Sequence, residues 1–114
     1  DAVNSQPGAS TWAGGRGGGI LILCANQIVG NGSLLALGSN GSPATSTLGY
    51  GDGGGGAGGG GSILLYYWLM SGTPVLNANG GIGGAGYKKT AGGNGGAGSC
   101  RDYSLAELAS HTRI

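Results

Sequence analysis

Two runs of apolar residues stand out from an otherwise polar, glycine-filled chain: "ILILCANQIV" at residues 20–29 and "SILLYYWLM" at residues 62–70. Both are rich in Ile, Leu, Val, Tyr and Trp, are bounded by glycine, and are short enough to be strands. Apolar residues occupy consecutive positions in each, so both faces of each strand are expected to be buried against neighbours.

Setting "GGGILILCANQIVGNGSLLALGSNG" (residues 17–41) over "GGGSILLYYWLMSGTPVLNANGG" (residues 59–81) reveals one plan used twice. Ile20 aligns with Ile63, Leu23 with Tyr66, and Gly32-Ser33 with Gly72-Thr73, while Asn40-Gly41 falls close to Asn79-Gly80. The period is about 40 residues, with a small deletion in the second copy. Each unit reads as strand, turn, strand and glycine arm.

Glycine supplies 31 of 114 residues and phenylalanine none. Ordering each residue costs roughly 1–2 kcal/mol, which must be offset by backbone hydrogen bonds or by partner chains. Simple disorder is the plain reading of so much glycine, but disordered linkers lack apolar runs of this kind. The arm "GGIGGAGYKKTAGGNGGAGSC" suggests another use. In it Ile82, Ala85, Lys88, Ala91, Asn94, Ala97 and Cys100 fall three apart, with glycine at most positions between. Three residues per turn is the period of polyproline II, which has no internal hydrogen bonds. The spacing predicts parallel polyglycine-II rods that hydrogen-bond sideways into a sheaf, with every third residue pointing outward. Collagen shares the period but needs far more than this chain's three prolines. In the arm "GYGDGGGGAGGGG", Asp52 and Ala57 are five apart and cannot share one face of a threefold rod. That arm either changes register or packs as a central rod with neighbours on every side.

The expected class is therefore all-β with polyglycine-II helices and little α-helix. Residues 1–12 form an N-terminal segment, 13–99 a glycine-rich repeat domain, and 100–114 a C-terminal tail. Within the tail, Ser104 followed by Glu107 and helically spaced leucines predicts either a short helix from Ser104 to Ser110 or a frayed end.

The formal charge of +1 gives no electrostatic case for nucleic acid or anionic lipid. Neither apolar run approaches the roughly 20 residues that cross a bilayer. "DAVNSQPGAS" lacks a signal-peptide pattern, so the chain reads as soluble, either as it stands or with a leader already removed. Cys24 and Cys100 are either a disulfide pair or two thiols.

Catalytic signatures are thin, and no enzyme is expected. His111, the sole histidine, sits near the C-terminus, where a nucleophile–base pair would have to be built from a tail. Asp1, Asp52, Asp102 and Glu107 are scattered, and one His with two Cys makes a poor zinc set. "GIGGAGYKKT" is similar to a phosphate-binding loop, but Tyr87 intrudes before Lys88 and no helix signal follows. No cofactor or metal is expected. "NGS" at Asn31 and Asn40 satisfies the glycosylation pattern, although tight turns explain both Asn-Gly pairs.

The alternation in "GGRGGGILILCANQIVGNGSL" and "GGGGSILLYYWLMSGTPVLNANGGIGGAG" resembles the glycine-rich distal regions of bacteriophage tail fibres and their adhesins, over roughly residues 13–99. That resemblance implies a rigid sheaf whose loops recognise a host surface receptor, a location on the virion outside the cell, and a homotrimer. Tyr50, Tyr87, Lys88 and Trp12 are the candidate receptor-binding residues, because exposed aromatics give contact area at low entropy cost. Tyr66, Tyr67 and Trp68 are assigned to the core. A self-assembling extracellular filament would use the same arms. An ice-binding protein would need regularly spaced small residues, and Thr45, Thr47, Thr73 and Thr90 lack such spacing.

Overall fold

The computed structural model describes residues 13–44, 53–87 and 89–112, with side chains described as far as Ala109. It is all-β in class with one short helix, drawn out to 68 × 28 × 21 Å. The two apolar runs form β1 (Ile20–Val29) and β3 (Ser62–Ser71). Short strands β2 (Ser33–Leu35) and β4 (Val75–Asn77) follow them, and β5 (Ser99–Ser104) leads directly into α1 (Leu105–Thr112). One sheet has the order β1-β3-β5 and the other pairs β2 with β4, all parallel.

The register differs from the sequence alignment by one residue. Leu21 pairs with Ile63 and Leu23 with Leu65, whereas the alignment sets Ile20 beside Ile63 and Leu23 beside Tyr66. Side chains alternate between faces, so only the observed register brings the inward-facing residues of both strands together. Ile63 and Leu65 are fully buried, and they pack with Ala36 and Ala78 against Leu21, Leu23, Leu34 and Leu76. Both strands then change phase together. The pairing skips Asn26 and Trp68, and the next side chains to reach the core are Ile28 and Met70. An extra residue in each strand at the same level re-aims the side chains, as a bulge does.

The strands do not bury both faces. Ile20, Ile22, Trp68 and Leu69 are exposed, and the core lies on the face toward β2 and β4. Tyr67 packs against the core, but Tyr66 lies on the outer face, where its ring stacks on Tyr103 at 5.3 Å, and Trp68 is exposed. The turns after β1 and β3 depend on glycine: Gly30 has φ 121° and Gly72 φ 102°, the region that side chains disfavour.

Between the strands the chain is extended and hydrogen-bonds sideways. Residues 53–61 bond to segments on four sides. Gly15 and Gly18 donate to Gly56 and Gly59, while Gly55 and Gly58 donate to Ser42 and Ser39. Gly81 and Gly84 donate to Gly58 and Gly55, and Ala57 and Gly60 donate to Gly93 and Gly96. Partners advance by three residues in every case. The remaining side is open, with Gly56 and Gly59 exposed.

The glycine stretch after β4 is not one continuous arm from Ile82 to Cys100. Gly92, Gly95 and Gly98 donate to Gly84, Gly81 and Ala78, so residues 89–98 run antiparallel to 78–86. The chain reverses around Tyr87 to Thr90, where four side-chain-bearing residues break the glycine spacing. The C-terminal part is likewise more ordered than a tail: Ser99–Ser104 pairs with β3, and Ser104 Oγ accepts the Glu107 N–H at 3.3 Å to cap α1.

Candidate functional site

Every glycine segment that enters or leaves the sheets runs to one end of the molecule. There Ser42 donates to Ala13 at 3.0 Å, Ala44 to Ala85 at 2.8 Å and Gly54 to Thr90 at 3.2 Å. These bonds gather Ala13, Ala44, Gly54 and the reversal at Tyr87 to Thr90 on one tip. Tyr87 and Lys89 are exposed there. Trp12, Tyr50 and Lys88 lie outside the described residues. The chain that flanks each of them, at Ala13, at Ala44 and Gly53, and at Tyr87 and Lys89, belongs to this tip.

Polar side chains brace the segments that hold the tip. Amide groups facing a neighbour without a suitably placed carbonyl are met by side-chain oxygens instead. Asn94 Oδ1 accepts the Gly83 N–H at 2.9 Å and Asn40 Oδ1 accepts the Ile82 N–H at 2.8 Å. Ser39 Oγ accepts the Arg16 N–H at 2.6 Å. At the opposite end Asn31 Oδ1 accepts the Thr73 N–H at 2.8 Å, which ties together the two turns with positive φ. Asn31 and Asn40, the residues of the two "NGS" stretches, thus both have structural work within the chain.

Lys89 escaped the sequence reading because the threefold series singled out Lys88 alone. The signal available was the run "YKKT", which interrupts the glycines and marks a turn. A second feature was also not foreseen: an open depression lined by Cys24, Ala25, Asn26, Trp68 and Leu105, formed where the strand phase changes and α1 docks.

Cys24 and Cys100 are both free and exposed. They lie on the two outer strands of a three-stranded sheet, Cys24 level with Tyr66 and Cys100 with Ile63. Two strand spacings are about 10 Å, beyond the reach of a disulfide. Among the described residues, no three His, Cys, Asp or Glu side chains come together as metal ligands would. No helix among them is long and apolar enough to cross a membrane. Comparison with family models, curated proteins and solved structures finds no match.

Proposed function

We propose that this chain is a non-enzymatic structural and receptor-binding module, the distal part of a phage tail fibre or a related appendage that contacts a host cell surface. In this reading the glycine segments are polyglycine-II helices bundled as a sheaf, and the two strand-turn-strand units are copies of one repeat. The observation that carries it is the hydrogen bonding of residues 53–61 to four neighbours at three-residue intervals. Backbone amides supply the cohesion that a chain so poor in side chains lacks elsewhere. A stiff bundle of this kind presents its end connections as a small, fixed surface. Tyr87 and Lys89, with Lys88, Tyr50 and Trp12, would supply aromatic and cationic contacts to a surface protein or polysaccharide.

The test is binding of the fluorescently labelled chain to a panel of bacterial cells and their isolated surface polysaccharides. Saturable binding to one host, weakened at least tenfold by Tyr87→Ala with the fold retained, is the expected result. Absence of binding across the panel removes the receptor role. A self-assembling filament is the second reading, favoured by the two open edges of the sheet, β1 and β5. Long fibres growing from the purified chain in electron micrographs would select it.

A further inference from the structure

Among the described residues, the outer face of the β1-β3-β5 sheet is bare from its glycine end up to the level of Cys24 and Trp68, where Leu105 of α1 approaches it. Toward the strand end it carries Ile20, Ile22 and Trp68, which are 76%, 59% and 46% exposed, beside the stacked Tyr66 and Tyr103. The same face continues down the glycine segments. Gly14 and Gly17, then Gly56 and Gly59, then Gly93 and Gly96 form three exposed rows that lead into Ile20, Ser62 and Ser99.

Against the described residues, these glycines have no steric reason to be glycine. A Cβ at Gly93 or Gly96 would meet nothing within 4 Å, and at Gly14, Gly17, Gly56 and Gly59 it would make ordinary contacts at 3.5–3.9 Å. At Gly58, Gly61, Gly95 and Gly98, by contrast, it would collide with neighbouring backbone. The opposite outer face, on 36–44 and 78–86, is equally exposed yet bears Leu37, Ile82 and Ala85.

The bare face also presents unused hydrogen-bonding groups in rows. Among the described residues, the N–H groups of Gly14, Gly17, Gly56, Gly59, Gly93 and Gly96 donate to no backbone partner, and the carbonyls of Gly54, Ala57 and Gly60 accept from none. In residues 53–61 the N–H groups on either side of each free one are all bonded. The free groups therefore recur every third residue and point away from the four bonded neighbours.

We infer that this face is the contact surface for a second copy of the chain, the two molecules meeting back to back about a twofold axis that runs along the segments. The match is to the molecule's own inner interface, where glycine already meets glycine at hydrogen-bonding distance and Ile63 and Leu65 meet the apolar residues of β2 and β4. A twofold axis in that direction repeats the arrangement: bare glycine rows face bare rows, with donors and acceptors on both, and Ile20, Ile22 and Trp68 face their counterparts. A ligand with side chains of its own would leave the amide rows unpaired, whereas another all-glycine surface fits them. This inference is independent of what the tip binds.

Light scattering on the purified chain is expected to return the mass of two chains, and hydrogen exchange to find Gly56, Gly59, Gly93 and Gly96 as protected as Gly55 and Gly58. Gly96→Val and Ile22→Lys, which alter the two halves of the face, should each lower the mass to one chain at the concentration that keeps the wild type paired. Ala85→Val, on the decorated face, should leave the pair intact. A wild type of one chain or of three overturns the inference, as do fibres of unlimited length. So does rapid exchange at those four amides in the wild type, which decides the matter even where a variant fails to fold.

Discussion

Asn94 bridges two antiparallel glycine segments, its Oδ1 accepting the N–H of Gly83 at 2.9 Å. Its neighbour Gly95 donates to Gly81 and has its α-carbon against the carbonyl of Gly58. Gly95→Val is therefore expected to destabilise far more than Asn94→Val. The latter loses one exposed hydrogen bond, worth about 1 kcal/mol. The former forces three segments apart and strands their amides, at a cost of about 3 kcal/mol or more. Thermal unfolding of both variants checks the order, and equal losses would refute the assignment of inward and outward positions.

Residues 53–61 should be the slowest part of the molecule to exchange. The N–H groups of Gly55, Gly58 and Gly61 are all bonded to the neighbouring segment 36–44, with Gly55 and Gly58 buried. Native-state hydrogen exchange that finds these three amides at random-coil rates would show the glycine segments to be linkers.

The two positive-φ glycines should respond differently to a methyl group. Both lose about 1 kcal/mol or more from the unfavourable backbone region. Gly30→Ala adds little beyond that, since nothing lies within 4 Å of its Cβ, whereas Gly72→Ala also collides with Gly30 and crowds Asn31. Denaturant unfolding should place Gly72→Ala clearly below Gly30→Ala in stability.

Tyr66 and Tyr103 stack at 5.3 Å with 17° between their planes. A double-mutant cycle with Tyr66→Ala and Tyr103→Ala should give a coupling of about 0.5–1.5 kcal/mol. A coupling of zero would mean that β5 does not hold its register on β3 in solution.

Alkylation of the native chain without reductant should label Cys24 and Cys100 alike, because both are free and exposed. Recovery of an intramolecular disulfide peptide would contradict the placement of these strands on opposite edges of the sheet.

Local pattern in the sequence was enough to locate the apolar strands and a glycine turn after each, because each depends on residues within a few positions of one another, whereas it left the segment after Ser104 open between a helix and a frayed end, which the Ser104 cap and the contacts of α1 with β3 decide. "ILILCANQIV" and "SILLYYWLM" read as strands between glycines, and Gly72 stands at the turn expected after the second, whereas the turn expected at Gly32-Ser33 has its positive-φ residue at Gly30. What lay beyond local pattern was pairing. A period of three is the same whether the chain continues or doubles back, so the reversal at Tyr87 to Thr90 rests on hydrogen bonds from Gly92, Gly95 and Gly98 to a segment already laid down. The one-residue shift of register was decided by the need to bury Ile63 and Leu65 together with Leu21 and Leu23, and the strand Ser99–Ser104 by the edge that β3 offered it. The tip emerged in the same way. Ala13, Ala44 and Tyr87 are far apart in sequence, and only the antiparallel return of the glycine segments brings these parts of the chain to one end.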